Sequence, residues 1–371
     1  MTDSPLPKTL EALANDSRDG LHSGGQLHVR HAGRTVADLA FGEAAPGEPM
    51  RVDHRMLWLS SGKPITAVAI ARQWEAGNLD LDDRVTRFIP EFGTRGKQAI
   101  TGRHLLTHTG GIRDIRLGWP KASWDEVLRR IYAKRVEPRW TPGQTAGYHR
   151  MSSWFVLGEI LQRLTEEPIA THLRRTLLEP LGMTDSWIGM PAERAAELPV
   201  APLFDTTLSP PEEHPWTRGL FLTSPSPGAS AAGPVRQLAR FYEMLLGGGS
   251  IDGVTVLRPQ TVEAMVARQR VGRIDKTFGR RIDWGLGFVL DSSHYGEETA
   301  TYGYGRHCSA RTFGHSGYRS SVGLADPEHR LVVALAVNGT PDDGVHRRRF
   351  DRALTSIYED LGLAPADTAT A

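Results

Sequence analysis

The segment WLSSGKPITA, from Trp58 to Ala67, contains a serine and a lysine three residues apart, Ser60 and Lys63. At about 3.6 residues per helical turn, both side chains emerge on one face of a first turn, so an amine stands beside a hydroxyl. A serine hydroxyl needs a neighbouring base to act as a nucleophile, and a lysine serves when burial lowers its pKa. The pair therefore indicates nucleophilic catalysis. The alternative is a serine N-cap beside a solvated lysine.

The residues after Lys63 predict the helix that would position this pair. Apolar side chains at three- and four-residue spacing form one buried face, which consists of Ile65, Val68, Ala71 and Trp74. Pro64 is compatible with such a helix because it falls in the first turn, where backbone N–H groups have no intrahelical partner. Ser60 and Lys63 are thus expected at the start of a helix backed by the apolar core.

Strand patterns lie near both ends of the chain, and helical patterns lie between them. Alternating residues around the turn at Gly33 predict a β-hairpin over 25–41. Further strands are predicted at 284–290, 319–325 and 331–338. Helical spacing covers 124–133, 154–164, 169–178, 234–246 and 345–361. Because an isolated hairpin is only marginally stable, the terminal strands are expected to meet in one antiparallel sheet.

The expected architecture is α+β, with an antiparallel sheet from both chain ends flanked by helices and an inserted, mainly helical lobe. The whole chain, 1–371, is predicted to be one domain, with an α/β lobe from 1–85 and 215–371 and a helical lobe from 86–214. The Pro-, Ser- and Gly-rich stretch 203–233 is predicted to be a long loop. It either shapes a substrate entrance or is an ordinary surface connection.

The composition is that of a globular enzyme and argues against large charged partners. The chain has 371 residues with 44 basic and 43 acidic side chains, so no nucleic-acid partner is expected and a small or neutral substrate is favoured. No run reaches the roughly 18 apolar residues of a membrane span, and the first residues show no secretory pattern. We therefore expect a cytoplasmic protein without membrane contact. The single cysteine, Cys308, cannot form an internal disulfide.

Three further motifs accompany the Ser60-Ser61-Gly62-Lys63 segment. They are HLLTHTGG from His104, Tyr148-His149 followed by LGEI, and His315-Ser316-Gly317. Together the four motifs resemble the serine β-lactamase and penicillin-binding protein superfamily, in particular its class C-like esterase and transacylase branch. The resemblance extends from about Gly25 to Leu361 and implies a β-lactamase-like fold.

The resemblance also implies roles for the motif residues. Ser60 attacks an acyl carbonyl, and Lys63 and Tyr148 accept and return its proton as a coupled pair whose resting protonation stays open. The tetrahedral oxyanion is bound between the backbone N–H groups of Ser60 and Tyr318. Substrate contacts are expected from Arg150, His315, Ser316 and Gly317. No cofactor and no metal is implied.

Two departures from the family pattern bear on the substrate. Arg150 stands where many β-lactamases and peptidases have an asparagine that contacts the substrate amide, and arginine offers donors only. It is equally compatible with a structural salt bridge and with a substrate contact. His315 replaces the lysine of the family's K-T-G strand, which removes a fixed positive charge. Both departures favour esters over β-lactams.

The expected function is that of a cofactor-free carboxylesterase, which cleaves small esters through an acyl-enzyme. The main alternative is a transacylase that passes the acyl group to an alcohol or amine in a biosynthetic pathway. A β-lactamase or D-alanyl peptidase is less favoured. A fold retained only for binding is also less favoured, because the nucleophile, lysine, tyrosine and glycine strand are all present.

Three patterns have other interpretations. His104 and His108 have the spacing of helical zinc ligands, but the sequence offers no third ligand beside them. The segment GHSGY, 314–318, is close to the nucleophile elbow of α/β-hydrolases, with Ser316 as the nucleophile, but that elbow requires a following helix. The run Arg347-Arg348-Arg349 is expected to be a solvated helix face.

Overall fold

The computed structural model of the chain describes residues 5–113, 115–197, 200–296 and 303–365. Its strands are β1 Gly24–His31, β2 Arg34–Ala45, β3 Glu48–Pro49, β4 Met56–Leu57, β5 Trp187–Ile188, β6 Phe204–Asp205, β7 Glu212–Glu213, β8 Ala231–Gly233, β9 Ser250–Ile251, β10 Val254–Thr255, β11 Ile274–Asp275, β12 Arg280–Arg281, β13 Val289–Leu290, β14 Phe313–Gly317, β15 Ser321–Asp326 and β16 Leu331–Val337. Its helices are α1 Pro7–Arg18, α2 Lys63–Glu75, α3 Gly102–Leu106, α4 Trp124–Ala133, α5 Ser152–Thr165, α6 Ile169–Leu173, α7 Ala192–Glu197, α8 Leu220–Thr223, α9 Val235–Leu246, α10 Pro259–Val266 and α11 Asp343–Asp360. A π-helical turn, Arg174–Leu178, continues α6.

Seven strands form one antiparallel sheet in the order β13-β14-β15-β16-β1-β2-β3. β1 and β2 are the predicted hairpin, with Ala32 (φ 51°) and Gly33 (φ 80°) in the turn between them. β16 pairs with β1 along its whole length, from Leu331 opposite His31 to Val337 opposite Gly25. The strands from the two ends of the chain therefore meet in one sheet, as predicted.

The centre of this sheet is covered on both faces, which is why β16 reads LVVALAV without polar alternation. On one face, Val332, Ala334 and Ala336 belong to the apolar core that includes the side chains of α9. On the other, Leu331, Val333, Leu335 and Val337 pack with α1 and α11. The helices that cover the sheet thus come from both ends of the chain and from α9.

Helix α2 is buried more completely than the sequence pattern predicted. All residues from Lys63 to Ala71 are buried, whereas Trp74 is only half-buried. The prediction of a single buried face was too narrow because α2 is surrounded by α5, α6, α10 and β14. Pro64 lies in its first turn, as expected. The residues just before α2, Leu59–Gly62, form a turn of 3-10 helix that carries Ser60.

Several predicted boundaries differ from the observed ones. Of the strand predicted at 284–290, only Val289–Leu290 is extended in the sheet. The strand predicted at 319–325 begins at Ser321, because Arg319 occupies a turn with φ 50°. The stretch 203–233 contains β6, β7, α8 and β8 and is therefore not a simple loop.

The prediction of a solvated face at 347–349 was wrong for Arg349. Its side chain is buried and donates hydrogen bonds to the carbonyl oxygens of Leu21 (2.8 Å), Arg319 (2.8 Å) and Gly339 (2.7 Å). Burial lowers the pKa of this guanidinium to about 9. Arg349 therefore holds α11 against three backbone segments, a contact that a charged triplet in sequence does not reveal.

The helices of the described segments are short, and α11, with 18 residues, is the longest of them. Among these helices, none combines sufficient length with sufficient apolar character to span a bilayer.

Candidate active site

Ser60 lies in a short turn that is fixed to two strands. The backbone N–H of Trp58 donates to the carbonyl of Ala231 in β8 (2.8 Å), and the Trp58 carbonyl accepts from the hydroxyl of Ser321 in β15 (2.7 Å). Leu59, directly before Ser60, has a φ of 52°, a conformation that non-glycine residues adopt only when their surroundings impose it. The turn thereby presents a half-buried Ser60 at the start of α2.

Lys63 meets Ser60 as the three-residue spacing predicted. Its Nζ donates to Ser60 Oγ at 2.7 Å and also to the carbonyl oxygen of Gly228. The side chain is fully buried, and this burial lowers the pKa of Lys63 well below the usual 10.5. A neutral amine has a lone pair, so the geometry allows Lys63 to accept the Ser60 proton.

Tyr148 approaches the same hydroxyl from the other side. Its phenol O–H donates to Ser60 Oγ at 3.0 Å. The ring centroid lies 4.8 Å from that of His108 and 5.3 Å from that of Phe278, which fix the plane of the tyrosine ring. Lys63 Nζ lies 5.4 Å from the Tyr148 ring centroid. The structure therefore brings together the three side chains that the sequence selected.

Two histidines behind Tyr148 are uncharged. The backbone N–H of His149 donates to His108 Nδ1 (3.0 Å), and that of Ile112 donates to His149 Nε2 (2.9 Å). Burial lowers the pKa of His149 to about 3 and holds the pKa of His108 well below 6.5. His104, the partner of His108 in the zinc interpretation, instead caps α3, where its Nδ1 accepts from the Thr101 N–H (3.3 Å).

His315 occupies the lysine position of the family pattern as a neutral imidazole. Its Nδ1–H donates to the carbonyl of Ser316 (2.8 Å), which leaves Nε2 unprotonated. Burial, and next the nearby Lys63, lower the pKa of His315 to about 3. The side chain is buried and lines the same cavity as Ser60. Within the described residues, Nε2 has no hydrogen-bond partner.

Gly317 and Tyr318 bring the end of β14 next to the nucleophile turn. A Cβ atom on Gly317 would lie 2.2 Å from the carbonyl oxygen of Trp58, so only glycine permits this approach. Tyr318 follows immediately, and both it and Ser60 line one cavity. The Tyr318 side chain is 42% exposed and its ring packs against Trp216.

Ser316 does not occupy a nucleophile elbow. It lies in β14 and is followed by a turn and by β15, where the α/β-hydrolase pattern requires a helix. Its register opposite Val322 is that of an ordinary strand residue. The structure therefore contradicts that alternative.

The cavity in front of Ser60 has a volume of about 1010 Å³. Its walls are largely apolar and include the aromatic side chains of Trp119, Trp216, Phe221, Phe278 and Trp284. Phe221 and Trp216 come from the stretch 203–233, so this stretch contributes to the cavity walls, and its role as a substrate entrance stays a prediction. Arg150 is exposed at the same cavity, and in the described part of the chain it forms no ion pair.

No sequence pattern identified the residues that accept hydrogen bonds from the Lys63 amine and from the backbone N–H of Tyr148. Gly228, in the segment before β8, supplies the carbonyl that accepts from Lys63. Asp275, in β11, accepts from the backbone N–H of Tyr148 at 2.9 Å. The chain separations, 165 residues for Lys63 and Gly228 and 127 for Tyr148 and Asp275, explain why no local pattern revealed them.

The chain belongs to the Beta-lactamase family, whose model matches residues 11–356. Among curated relatives, it is 24% identical to the esterase/beta-lactamase LipL of Mycobacterium tuberculosis over 85% of this chain and 77% of LipL. It is 34% identical to the esterase EstB of Burkholderia gladioli, over 41% of this chain and 42% of EstB.

Solved structures confirm the β-lactamase-like fold. A family VIII carboxylesterase superposes with a TM-score of 0.80 at 26% identity, over 96% of this chain and 98% of the other. A penicillin-binding protein homologue from Caulobacter crescentus gives a TM-score of 0.79 at 27% identity, with coverages of 96% and 98%. This chain is therefore similar both to esterases and to a penicillin-binding protein homologue, and the shared fold is compatible with more than one substrate.

The contacts at Ser60 Oγ predict that Lys63 and Tyr148 act as one unit. Lys63→Ala and Tyr148→Phe should each lower kcat on p-nitrophenyl butyrate by about a hundredfold, because each removes one half of the proton path. The double variant should lose far less than the sum of the two free-energy changes. Lys134→Ala and Tyr132→Phe are matched controls away from the cavity. Strictly additive losses would contradict the shared role.

The buried amine predicts a pH-dependent stability difference. In the unfolded chain Lys63 keeps its ordinary pKa near 10.4, so between its lowered folded pKa and that value the unfolded state binds an extra proton. The free energy of unfolding of the wild type, relative to Lys63→Met, should therefore rise from pH 6 to pH 9. Urea unfolding at several pH values measures it, with Lys121→Met, an exposed site, as the control. Parallel curves for wild type and Lys63→Met would show that the folded amine stays charged.

Proposed function

We propose that this chain is a serine hydrolase that cleaves carboxylic esters through an acyl-enzyme on Ser60. The observation that supports it is the convergence of Lys63 Nζ, at 2.7 Å, and Tyr148 O–H, at 3.0 Å, on Ser60 Oγ in front of a largely apolar cavity. A serine activated by two proton-transfer groups is the arrangement that nucleophilic catalysis requires. The esterase names of two relatives agree with this reaction.

The chemistry follows from the positions of the groups. Ser60 Oγ attacks the ester carbonyl carbon as its proton passes to the Lys63 and Tyr148 pair. The backbone N–H groups of Ser60 and Tyr318 bind the oxyanion, and losing one such donor typically costs about 3 to 4 kcal/mol. Collapse of the tetrahedral intermediate breaks the ester C–O bond, and the departing alkoxide takes the proton back. Water then attacks the acyl-enzyme by the same path and releases the acid.

Esters are favoured over β-lactams for reasons of charge and hydrogen bonding. His315 is neutral where a β-lactam carboxylate would meet the family's lysine. Arg150 cannot accept a hydrogen bond from an acylamino N–H as an asparagine does. We propose that His315, Ser316 and Gly317 line the substrate path beside the oxyanion donors, and that Arg150 is a substrate contact, since in the described part of the chain it has no ion pair.

Acyl transfer to an alcohol or amine remains the alternative outcome of the same acyl-enzyme. A cavity of about 1010 Å³ has room for an acceptor beside the acyl group. A structural neighbour, the hydrolase EstCE1, is described as having promiscuous acyltransferase activity, but at 21% identity it shares only the fold. The cytoplasmic location expected from the sequence stays a prediction.

The proposal predicts hydrolysis of p-nitrophenyl butyrate with a kcat/KM at least tenfold above that for nitrocefin. Ser60→Ala should abolish both the ester activity and covalent labelling by a fluorophosphonate, with the labelled peptide containing Ser60 in the wild type. Adding alcohols or amines tests transfer, because a bound acceptor would raise the yield of acylated product to saturation. Efficient nitrocefin turnover without ester hydrolysis would overturn the proposal.

A further inference from the structure

The cavity in front of Ser60 combines an aromatic interior with an excess of positive charge. Of the charged residues that line it in the described part of the chain, Lys121, Arg150, Arg218 and Arg319 are cationic and Asp343 is acidic. The chain as a whole is balanced, with 44 basic and 43 acidic residues, so this excess is local.

The four cations are not equally available to a ligand. Arg319 Nε pairs with Asp343 at 2.6 Å, and Arg218 lies 3.7 Å from a carboxylate oxygen of Glu213. Arg150 and Lys121 are both exposed, and in the described ranges neither has an ion-pair partner. Of these two, Arg150 is only two residues after Tyr148, whose O–H contacts the nucleophile.

The interior is shaped for a large flat group. Phe221 packs edge-on to Trp119 with ring centroids 4.6 Å apart, and it stacks with Trp216 at 5.7 Å. Tyr318 extends the same aromatic row. A volume of about 1010 Å³ far exceeds what an acetyl or butyryl ester fills, and ligand pockets that bury drug-sized molecules measure roughly 300 to 1,000 Å³.

We propose that the preferred substrate is an ester with a bulky aryl group in this cavity and a carboxylate bound by Arg150 at its rim. This inference rests on the proposed esterase function and names its substrate class. A planar guanidinium binds a carboxylate through two parallel hydrogen bonds, which gives direction as well as charge. The anion is held at the Tyr148 side, while His315 stays neutral.

Two isosteric esters test the proposal: the p-nitrophenyl esters of 4-(4-carboxyphenyl)butyric acid and of its carboxamide. The wild type should show a kcat/KM at least tenfold higher for the carboxylate, and 0.5 M NaCl should reduce this ratio by screening. Arg150→Gln should bring the ratio close to one, whereas Arg129→Gln, an exposed arginine on α4, should preserve it.

The outcomes separate this inference from the function on which it rests. If the wild type hydrolyses both esters at equal rates, the anion site is wrong and the esterase proposal stands. If the wild type hydrolyses neither of them nor p-nitrophenyl butyrate, the esterase proposal fails as well. An unchanged ratio in Arg150→Gln would also reject Arg150 as the binding group.

A second feature is the turn between β11 and β12, which together with Asp275 at the end of β11 forms hydrogen bonds with the backbone of Tyr148. Asp275 Oδ1 accepts from the N–H groups of Tyr148 (2.9 Å), Thr277 (2.9 Å) and Phe278 (3.3 Å). The hydroxyl of Thr277 donates to the Tyr148 carbonyl (3.0 Å). The buried guanidinium of Arg270 donates to Asp275 Oδ2 at 3.0 Å and neutralises its charge.

We infer that Asp275 is a positioning residue that sets the approach of Tyr148 to Ser60. Both backbone polar groups of Tyr148 are held by one turn, and Phe278 of the same turn packs on the tyrosine ring. A displacement of this turn would therefore move the phenol away from Ser60 Oγ. Even a small displacement of a reacting group lowers the reaction rate strongly.

Asp275→Asn should lower kcat more than tenfold with KM changed less than threefold, because Arg270 loses its counterion and the turn that holds Tyr148 shifts, whereas the cavity walls Trp119, Trp216 and Phe221 lie outside this turn. Asp283→Asn is the matched control: Asp283 is equally buried and ion-paired to Arg268, and its Oδ1 accepts from the Gly272 N–H and the Tyr295 hydroxyl instead of from Tyr148. It should lower the urea midpoint while keeping kcat within threefold. Equal losses of kcat in both variants would show a purely structural role.

A second variant keeps the test decisive if Asp275→Asn fails to fold. Thr277→Val conserves side-chain volume and removes the hydroxyl that donates to the Tyr148 carbonyl and accepts from Arg113 Nη1 (2.9 Å). It should lower kcat on p-nitrophenyl butyrate at least threefold and slow fluorophosphonate labelling of Ser60 by a similar factor. Wild-type rates in this variant would overturn the positioning role.

Discussion

The burial of one amine is the constraint on which the rest of the site depends. A charged lysine in an apolar interior is costly, and burial accordingly lowers the pKa of Lys63 well below its usual 10.5. Burying this amine requires the first turn of α2, and not only the middle of the helix, to lie in the core. Accordingly, every residue from Lys63 to Ala71 is buried.

The same low-polarity environment keeps other titratable groups near Ser60 uncharged. His149 and His315 have pKa values of about 3, and His108 is also held neutral, in each case chiefly through burial. Charges inside the site would repel or neutralise a protonated Lys63 and change its proton affinity. The cationic side chains that line the cavity are exposed or half-buried, whereas the buried guanidinium of Arg270 is paired with Asp275.

The site is assembled from segments that are far apart in sequence and brought together by the sheet. Gly317 lets β14 touch the Trp58 carbonyl, and Ser321 of β15 donates a hydrogen bond to that carbonyl. Tyr148 approaches from the helical part of the chain and is held there by the turn that follows β11. Proteins similar to this chain are named as an esterase/beta-lactamase and as a penicillin-binding protein homologue, which is expected when the reaction depends on a few side chains placed on a shared fold.

The sequence by itself determined the features that depend on local spacing. The three-residue step from Ser60 to Lys63, the hairpin around Gly33 and the apolar run of β16 follow from helical and strand periods, and the family motifs selected Tyr148 and His315. Tertiary structure alone decided the contacts between distant segments. No periodic pattern in the sequence reports the hydrogen bond between Asp275 and Tyr148, the one between Gly228 and Lys63, or the burial of Arg349. A hydrogen bond between residues more than a hundred positions apart constrains no neighbouring position in the sequence.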